Sequence, residues 1–255
     1  MLSYNSEPSA LVSDQWSFNQ RVVILSPHSD DVAYSLGGTV RRLPRDSVWT
    51  ILTVFNKSCY APEYPHQTAE VEISRIRDEE DHRYAEAVGA KRVALNLADA
   101  SVLGHTAESE LRASYLDERF EPVAAALDEA LSVISPDLIL APLALGGHVD
   151  HRIVFEAVGR SSHVHRAKIL YYEDLPYACH LPGEELLVEV QARLGEGVRP
   201  LLNDITDVLG LKLTASSIYH SQGDWDEAAL ISYANRIHPV EHRCAERLWH
   251  VKGVS

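Results

Sequence analysis

The 255-residue sequence predicts an α/β fold, a Rossmann-like, mostly parallel sheet with helices on both faces, built as a single domain. Three observations predict it. Short apolar runs alternate with longer amphipathic stretches from residue 21 onward. The runs are apolar nearly throughout, as in strands covered on both faces. Two of them lead into turns dense in His and Asp, and open α/β sheets bind ligands beyond the carboxyl ends of their strands.

Taken in order, residues 1–20 read as a polar lead-in to a domain spanning 21–255. A strand over 22–25 passes through Ser26 and Pro27 into His28-Ser29-Asp30-Asp31, and a helix follows over 31–42 with a glycine pair, Gly37-Gly38. The β-branched run 47–54 is a second strand. The polar loop 56–67, with Tyr60, Pro62, Tyr64, Pro65 and His66, is long enough to form a rim or lid. A charged amphipathic helix over 68–88 ends at Gly89, and 93–97 is a third strand with Asp99 just past it. A second long helix lies within 111–134 and stops at Ser135-Pro136. The buried strand 138–141 leads through Pro142 and Gly146-Gly147 into His148-Val149-Asp150-His151, and helical periodicity resumes over 153–158. A fifth strand over 169–172 ends in Glu173-Asp174. From residue 184 onward the chain reads as a mostly helical elaboration, broken at Gly195, Gly197 and Pro200.

Composition removes several function classes. A formal net charge of -14 opposes a nucleic-acid partner, which needs a basic footprint, and opposes an anionic membrane surface for the same reason. No apolar run approaches the ~20 residues of a spanning helix. The first twenty residues lack the basic and apolar regions of a secretory signal. Cys59, Cys179 and Cys244 are odd in number and far apart, which suits a reduced, cytoplasmic protein. None has the paired spacing of a thiolate zinc site, so a metal here would rest on His and carboxylate ligands.

Each of the two polar turns follows a buried strand and precedes a helix, so both fall on the carboxyl edge of one sheet. A catalytic zinc takes three protein ligands and keeps a position for water. His28, Asp31 and His151 would supply two imidazoles and a carboxylate. Asp30 would then stand beside the ion, free to take a proton from water. His148 could donate to the oxygen on which charge develops, and Asp150 could orient an imidazole. The alternative for each aspartate is a helix cap, and for each histidine a solvated turn residue. A dinucleotide-binding module is a third reading, opposed by the absence of G-x-G-x-x-G from the first strand–helix turn.

The same residues carry a family resemblance. Pro27-His28-Ser29-Asp30-Asp31, Gly37-Gly38 and His148-Val149-Asp150-His151 resemble the P-H-P-D-D and H-x-D-H motifs of the PIG-L/LmbE family of zinc-dependent N-deacetylases. Arg77-x-x-Glu80 with Gly89, Asp99, the segment Tyr171 to Tyr177, and Lys212 with Tyr219-x-Ser221-Gln222 are similar to further family positions, so the likeness runs over residues 21–222. Ser29 and Val32 depart from the usual Pro and Glu, and neither departure removes a ligand or the base.

The resemblance implies that His28, Asp31 and His151 hold Zn2+, that Asp30 is the general base, and that His148 stabilises the oxyanion or acts as acid with Asp150 tuning it. Arg77 and Asp99 would contact substrate. Their alternatives are a surface pair with Glu80 and a loop-capping aspartate. The implied reaction is removal of an N-acetyl or other N-acyl group from an amino sugar or sugar-bearing small molecule, without a nucleic-acid or membrane partner. Five Lys against eighteen Arg is the balance of GC-rich coding sequence, which associates the substrate with a mycothiol-type conjugate or a natural-product intermediate. The competing activity on this scaffold is a zinc-dependent hydratase or lyase acting on an unsaturated acid. The resemblance leaves open a homo-oligomer and the identity of the metal, zinc or iron.

Overall fold

Strand β1 (Arg21–Ser26) lies in the interior of the sheet and is apolar on both sides. Val22 and Ile24 face one buried cluster while Val23 and Leu25 face another, as the two-residue side-chain period of a strand requires. The structure is a computed structural model describing residues 19–44, 46–67, 69–105, 111–112, 118–223 and 226–251. The lead-in and the first part of the helix expected over 111–134 fall largely outside the described residues.

The remaining elements follow in chain order. They are α1 (Asp31–Arg41), β2 (Val48–Lys57), α2 (Glu70–Val88), β3 (Lys91–Ala98), α3 (Phe120–Ile134), β4 (Leu138–Pro142), α4 (Val149–Arg160), β5 (Lys168–Tyr172), α5 (Gly183–Leu194), β6 (Arg199–Asp204), α6 (Leu209–Ser216), α7 (Glu227–Ile237) and β7 (Ala245–His250). The sheet has the order β3-β2-β1-β4-β5-β7-β6. The first five strands are mutually parallel, and β7 runs antiparallel to both β5 and β6. One face is covered by α1, α2 and α6, the other by α3, α4, α5 and α7. The architecture is the α/β, Rossmann-like sheet with helices on both faces. Chain order reverses between β1 and β4, which makes the gap beyond their carboxyl ends the topological switch point.

The C-terminal region departs from the helical elaboration expected for it, because β6 and β7 extend the sheet there. Pro200 reads as a helix break, yet it lies in an edge strand whose outer side needs no donor. In β7 the apolar pattern is interrupted by Glu246 and Arg247. Their partners, Lys212 and Glu173, come from elements distant in sequence.

The glycine pair has a packing reason. A Cβ on Gly38 would lie 2.6 Å from Ile205 Cγ2, and one on Gly37 would lie 3.0 Å from Lys212 Cγ, so α1 approaches α6 and the segment before it only because both side chains are absent. Buried Glu246 ties this corner together, accepting from Gly38 N at 2.9 Å, Thr39 N at 2.6 Å and Lys212 Nζ at 2.7 Å. The three cysteines form no disulfide, and no helix among the described residues is long and apolar enough to cross a membrane.

Candidate metal centre

The β1–α1 turn brings His28, Asp30 and Asp31 to the switch point, and the β4–α4 turn brings His148, Asp150 and His151 to the same place. The rings of His28 and His151 have centroids 5.2 Å apart, and that of His148 stands 5.0 Å from His28 and 5.4 Å from His151. Residues 120 positions apart in sequence thus share one site.

Asp31 bridges two imidazoles. Its Oδ2 is 3.5 Å from His28 Nδ1 and its Oδ1 is 3.4 Å from His151 Nε2. Nitrogen and oxygen ligands about 2.0–2.1 Å from a tetrahedral ion stand roughly 3.3 Å from one another, so this spacing suits a shared cation. His151 supplies a second test. Its Nε2 is fully buried with no hydrogen-bond partner, and its Nδ1 is held at 2.7 Å by Asp174 Oδ1. A ligating imidazole is commonly fixed in this way, with one nitrogen tied to a carboxylate and the other presented to the ion. The donor set therefore fits a divalent metal.

Charge points the same way. Burial works against the protonated imidazoles, yet Asp150 and Asp31 outweigh it at His28 and raise that group well above 6.5. Burial is likewise outweighed at His151 by Asp31 and Asp174, and the group is raised. At Asp31 burial is overcome by His151 and His28, and the carboxyl falls to about 2. The carboxylates thus favour positive charge at these two imidazoles, and the same arrangement would favour a divalent cation.

His28, His148 and His151 also form a three-histidine group whose ligand atoms lie within 4.8 Å of one another. His148 differs from the other two in its hydrogen bonding. It caps α4, its Nδ1 accepting from Asp150 N at 3.2 Å, so in the neutral ring the proton sits on Nε2. Burial, with the nearby His28 and His151, lowers its pKa to about 3, which keeps the ring neutral and makes it a donor.

Asp150 is fully buried. Its Oδ2 meets His28 Nε2 at 2.9 Å and accepts from Ala100 N at 3.0 Å, while Oδ1 lies 2.8 Å from Arg119 Nη1. It stands 4.0 Å from His148 Nδ1, so the imidazole it orients is His28 rather than His148. Burial pushes Asp150 up, but the His28 hydrogen bond and charge, with Arg119, hold it well below the usual carboxylate range.

Asp30, at the first residue before α1, makes no capping bond. Its Oδ1 receives Arg77 Nη2 at 3.1 Å, and its own backbone N–H also donates to the carboxylate. Burial raises its pKa, with Arg77 opposing. Arg77 is buried in α2 and does not form the surface pair with Glu80. It reaches Asp30, Ser58 Oγ and Tyr60 O, and Glu80 instead holds Ser221. Asp99 caps the turn after β3, Oδ1 accepting from Ser101 N, Ser101 Oγ and Val102 N.

Asp174 and Arg119 were given no role by the sequence. Asp174 follows β5, the strand next to β4, and its signals are that position at the carboxyl edge and its place in the family-like segment Tyr171 to Tyr177. Arg119 has none, since it reaches Asp150 from the entry to α3 across the end of β3.

The family described as PIG-L, GlcNAc-PI de-N-acetylase, matches residues 23–161, a span that contains both polar turns. The 2'-N-acetylparomamine deacetylase of Streptomyces fradiae is 38% identical over 210 residues, which are 80% of this chain and 74% of that protein. Among solved structures, the deacetylase of the A40926 pseudoaglycone matches with a TM-score of 0.70 at 21% identity, over 93% of this chain and 99% of that one. The 4-carboxy-2-hydroxymuconate hydratase of Pseudomonas putida matches with a TM-score of 0.62 at 15% identity, over 91% and 96%. The two structural likenesses speak to the fold alone. The family match across more than half the chain, and the identity shared with a curated deacetylase, place this protein in the PIG-L family of metal-dependent N-deacetylases.

Proposed function

We propose that this protein hydrolyses the N-acetyl group of an amino sugar within a natural-product intermediate of the aminoglycoside kind, using zinc held by His28, Asp31 and His151. The observation that carries the reading is the pairing of this triad with a carboxylate one residue away, Asp30, which Arg77 holds through Oδ1. The substrate class is supported by the similarity to an enzyme named for N-acetylparomamine. Zinc is supported by the mixed nitrogen and oxygen donors, and a cytoplasmic setting by three unpaired cysteines.

When bound, the divalent ion supplies Lewis acidity and lowers the pKa of water towards neutrality. The chain's own residues do the rest. Asp174 and Asp150 orient His151 and His28. Asp30 accepts a proton from the attacking water, and Arg77 holds its carboxylate in place. The water oxygen bonds to the acyl carbon, and the Nε2–H of His148 donates to the acyl oxygen as charge builds there. The C–N bond breaks, Asp30 returns its proton to the departing nitrogen, and acetate and a free amine result. Asp99 is the residue we assign to the substrate's polar groups, while Arg77, engaged by Asp30, Ser58 and Tyr60, serves the base rather than the substrate.

Acetate release screened over N-acetylated glucosamine derivatives and pseudodisaccharides tests this directly. Stoichiometric acetate and amine are expected, and Asp30→Asn should keep the metal while kcat falls ~10³-fold. An Asp30→Asn variant with full activity would remove the assigned base. Water consumption by an unsaturated acid with no acetate from any amide would show the hydratase activity instead.

A further inference from the structure

The glycines before His148 invite a simple expectation, that they leave room for substrate. Gly147 fits it, since a Cβ there would meet nothing within 4 Å. Gly146 does not. It has φ +79°, and a Cβ would lie 2.7 Å from Tyr177 Cβ and Cγ and 2.8 Å from Cδ1. Glycine is required at 146 because a tyrosine from the segment after β5 occupies that space.

The ring so admitted overlooks the metal triad. Tyr177 stands edge-on to His151, centroids 5.6 Å apart at 88°, and 6.4 Å from His148. The three rings make a triangle on one side of the site. Tyr177 is half-buried, and among the described residues its hydroxyl has no hydrogen-bond partner.

A donor inventory gives this tyrosine its role. The site is lined by the carboxylates of Asp30, Asp31, Asp150 and Asp174, and an acyl oxygen gaining charge there needs hydrogen-bond donors. Both terminal nitrogens of Arg77 are engaged, by Asp30, Ser58 and Tyr60. Arg119 is engaged through Nη1 by Asp150 and Ala98 O, and its Nη2 is fully buried rather than presented to the opening of the site. The two partly exposed neutral donors flanking His151 are His148 Nε2–H and Tyr177 O–H.

We infer that Tyr177 is a catalytic residue, its phenol sharing with His148 the hydrogen bonding of the acyl oxygen in the tetrahedral transition state. The hydroxyl keeps its proton throughout, so it enters no proton transfer. The inference rests on the deacetylase reading and adds a residue to it.

The test compares the metal-loaded wild-type enzyme with Tyr177→Phe, which keeps the ring against Gly146 and removes only the hydroxyl. On an N-acetylated glucosamine derivative, kcat should fall about 100-fold with KM within about twofold, as for loss of one oxyanion donor. Metal content and unfolding midpoint should be unchanged. The affinity for the methylphosphonamidate of glucosamine, a tetrahedral oxyanion mimic, should fall by a similar factor. Unchanged kcat and mimic affinity would overturn the inference, as would a loss of rate accompanied by loss of metal, or a rise in KM alone. If the wild-type enzyme neither releases acetate nor binds the mimic, the deacetylase reading fails and this inference with it. If the wild type turns over and the variant equals it, only this inference fails.

Discussion

Asp30 and Asp31 are adjacent in sequence and opposite in behaviour. Burial is the largest influence on both, and it raises Asp30, whereas His151 and His28 overcome it at Asp31 and bring that carboxyl to about 2. In the proposed mechanism this difference suits Asp31 to the cation and leaves Asp30 able to take up a proton nearer working pH. Arg77 sets how far Asp30 rises, because its charge favours the ionised form. Removing that charge raises the Asp30 pKa further, so as pH falls the base form is lost at a higher pH. Arg77→Met should therefore move the acid limb of the kcat/KM profile upward, above that of the wild type. An unshifted limb would contradict this electrostatic coupling between Arg77 and Asp30. That these six histidines and aspartates would meet at one edge was legible in the sequence, because each lies in a short turn between strand and helix. The pairing of Asp150 with His28 was not, since which imidazole a carboxylate meets depends on side-chain reach across two loops.

At the scale of the element, legibility tracked how locally each element is stabilised. The parallel strands β1, β2, β4 and β5 announce themselves as apolar runs because both faces are covered. The pair β6 and β7 was hidden, for its buried charges make sense only beside partners brought in by the fold. Glu246 joins β7 to α1 and α6, and Glu173 accepts from Arg247 Nε at 2.6 Å and Trp249 Nε1 at 2.8 Å while also meeting Tyr233. Such pairs are costly to break from one side, because the survivor is left charged and dry. Lys212→Met keeps most of the stem volume but strands Glu246, and should cost about 3–5 kcal/mol of stability in denaturant unfolding. Replacing Glu246 as well should not restore stability, since the Gly38 and Thr39 amides would then lose their acceptor. Recovery in the double variant would show that the pair is dispensable to the α1–α6 corner.

At the scale of the molecule, one topological fact creates the site. Chain order reverses between β1 and β4, so the two turns that follow these strands open onto a common gap rather than onto opposite faces. In the proposed triad the first turn contributes His28 and Asp31 and the second His151, so the ligand set is complete only where both turns meet. The net charge of -14 suits an amino-sugar substrate and a cationic product better than an anionic one. The overall architecture and the meeting of the turns followed from alternation and edge placement. Long-range supports such as Arg119 and Asp174 needed the folded chain.

The central claim is that one divalent ion, gripped by both turns, is required for amide hydrolysis. Its most direct measurement is the rate of acetate release from an N-acetylated amino sugar as zinc is added back to chelated, fully folded enzyme. No release is expected without metal, and the rate should rise until one equivalent per chain is bound. A rate that survives complete metal removal would contradict it.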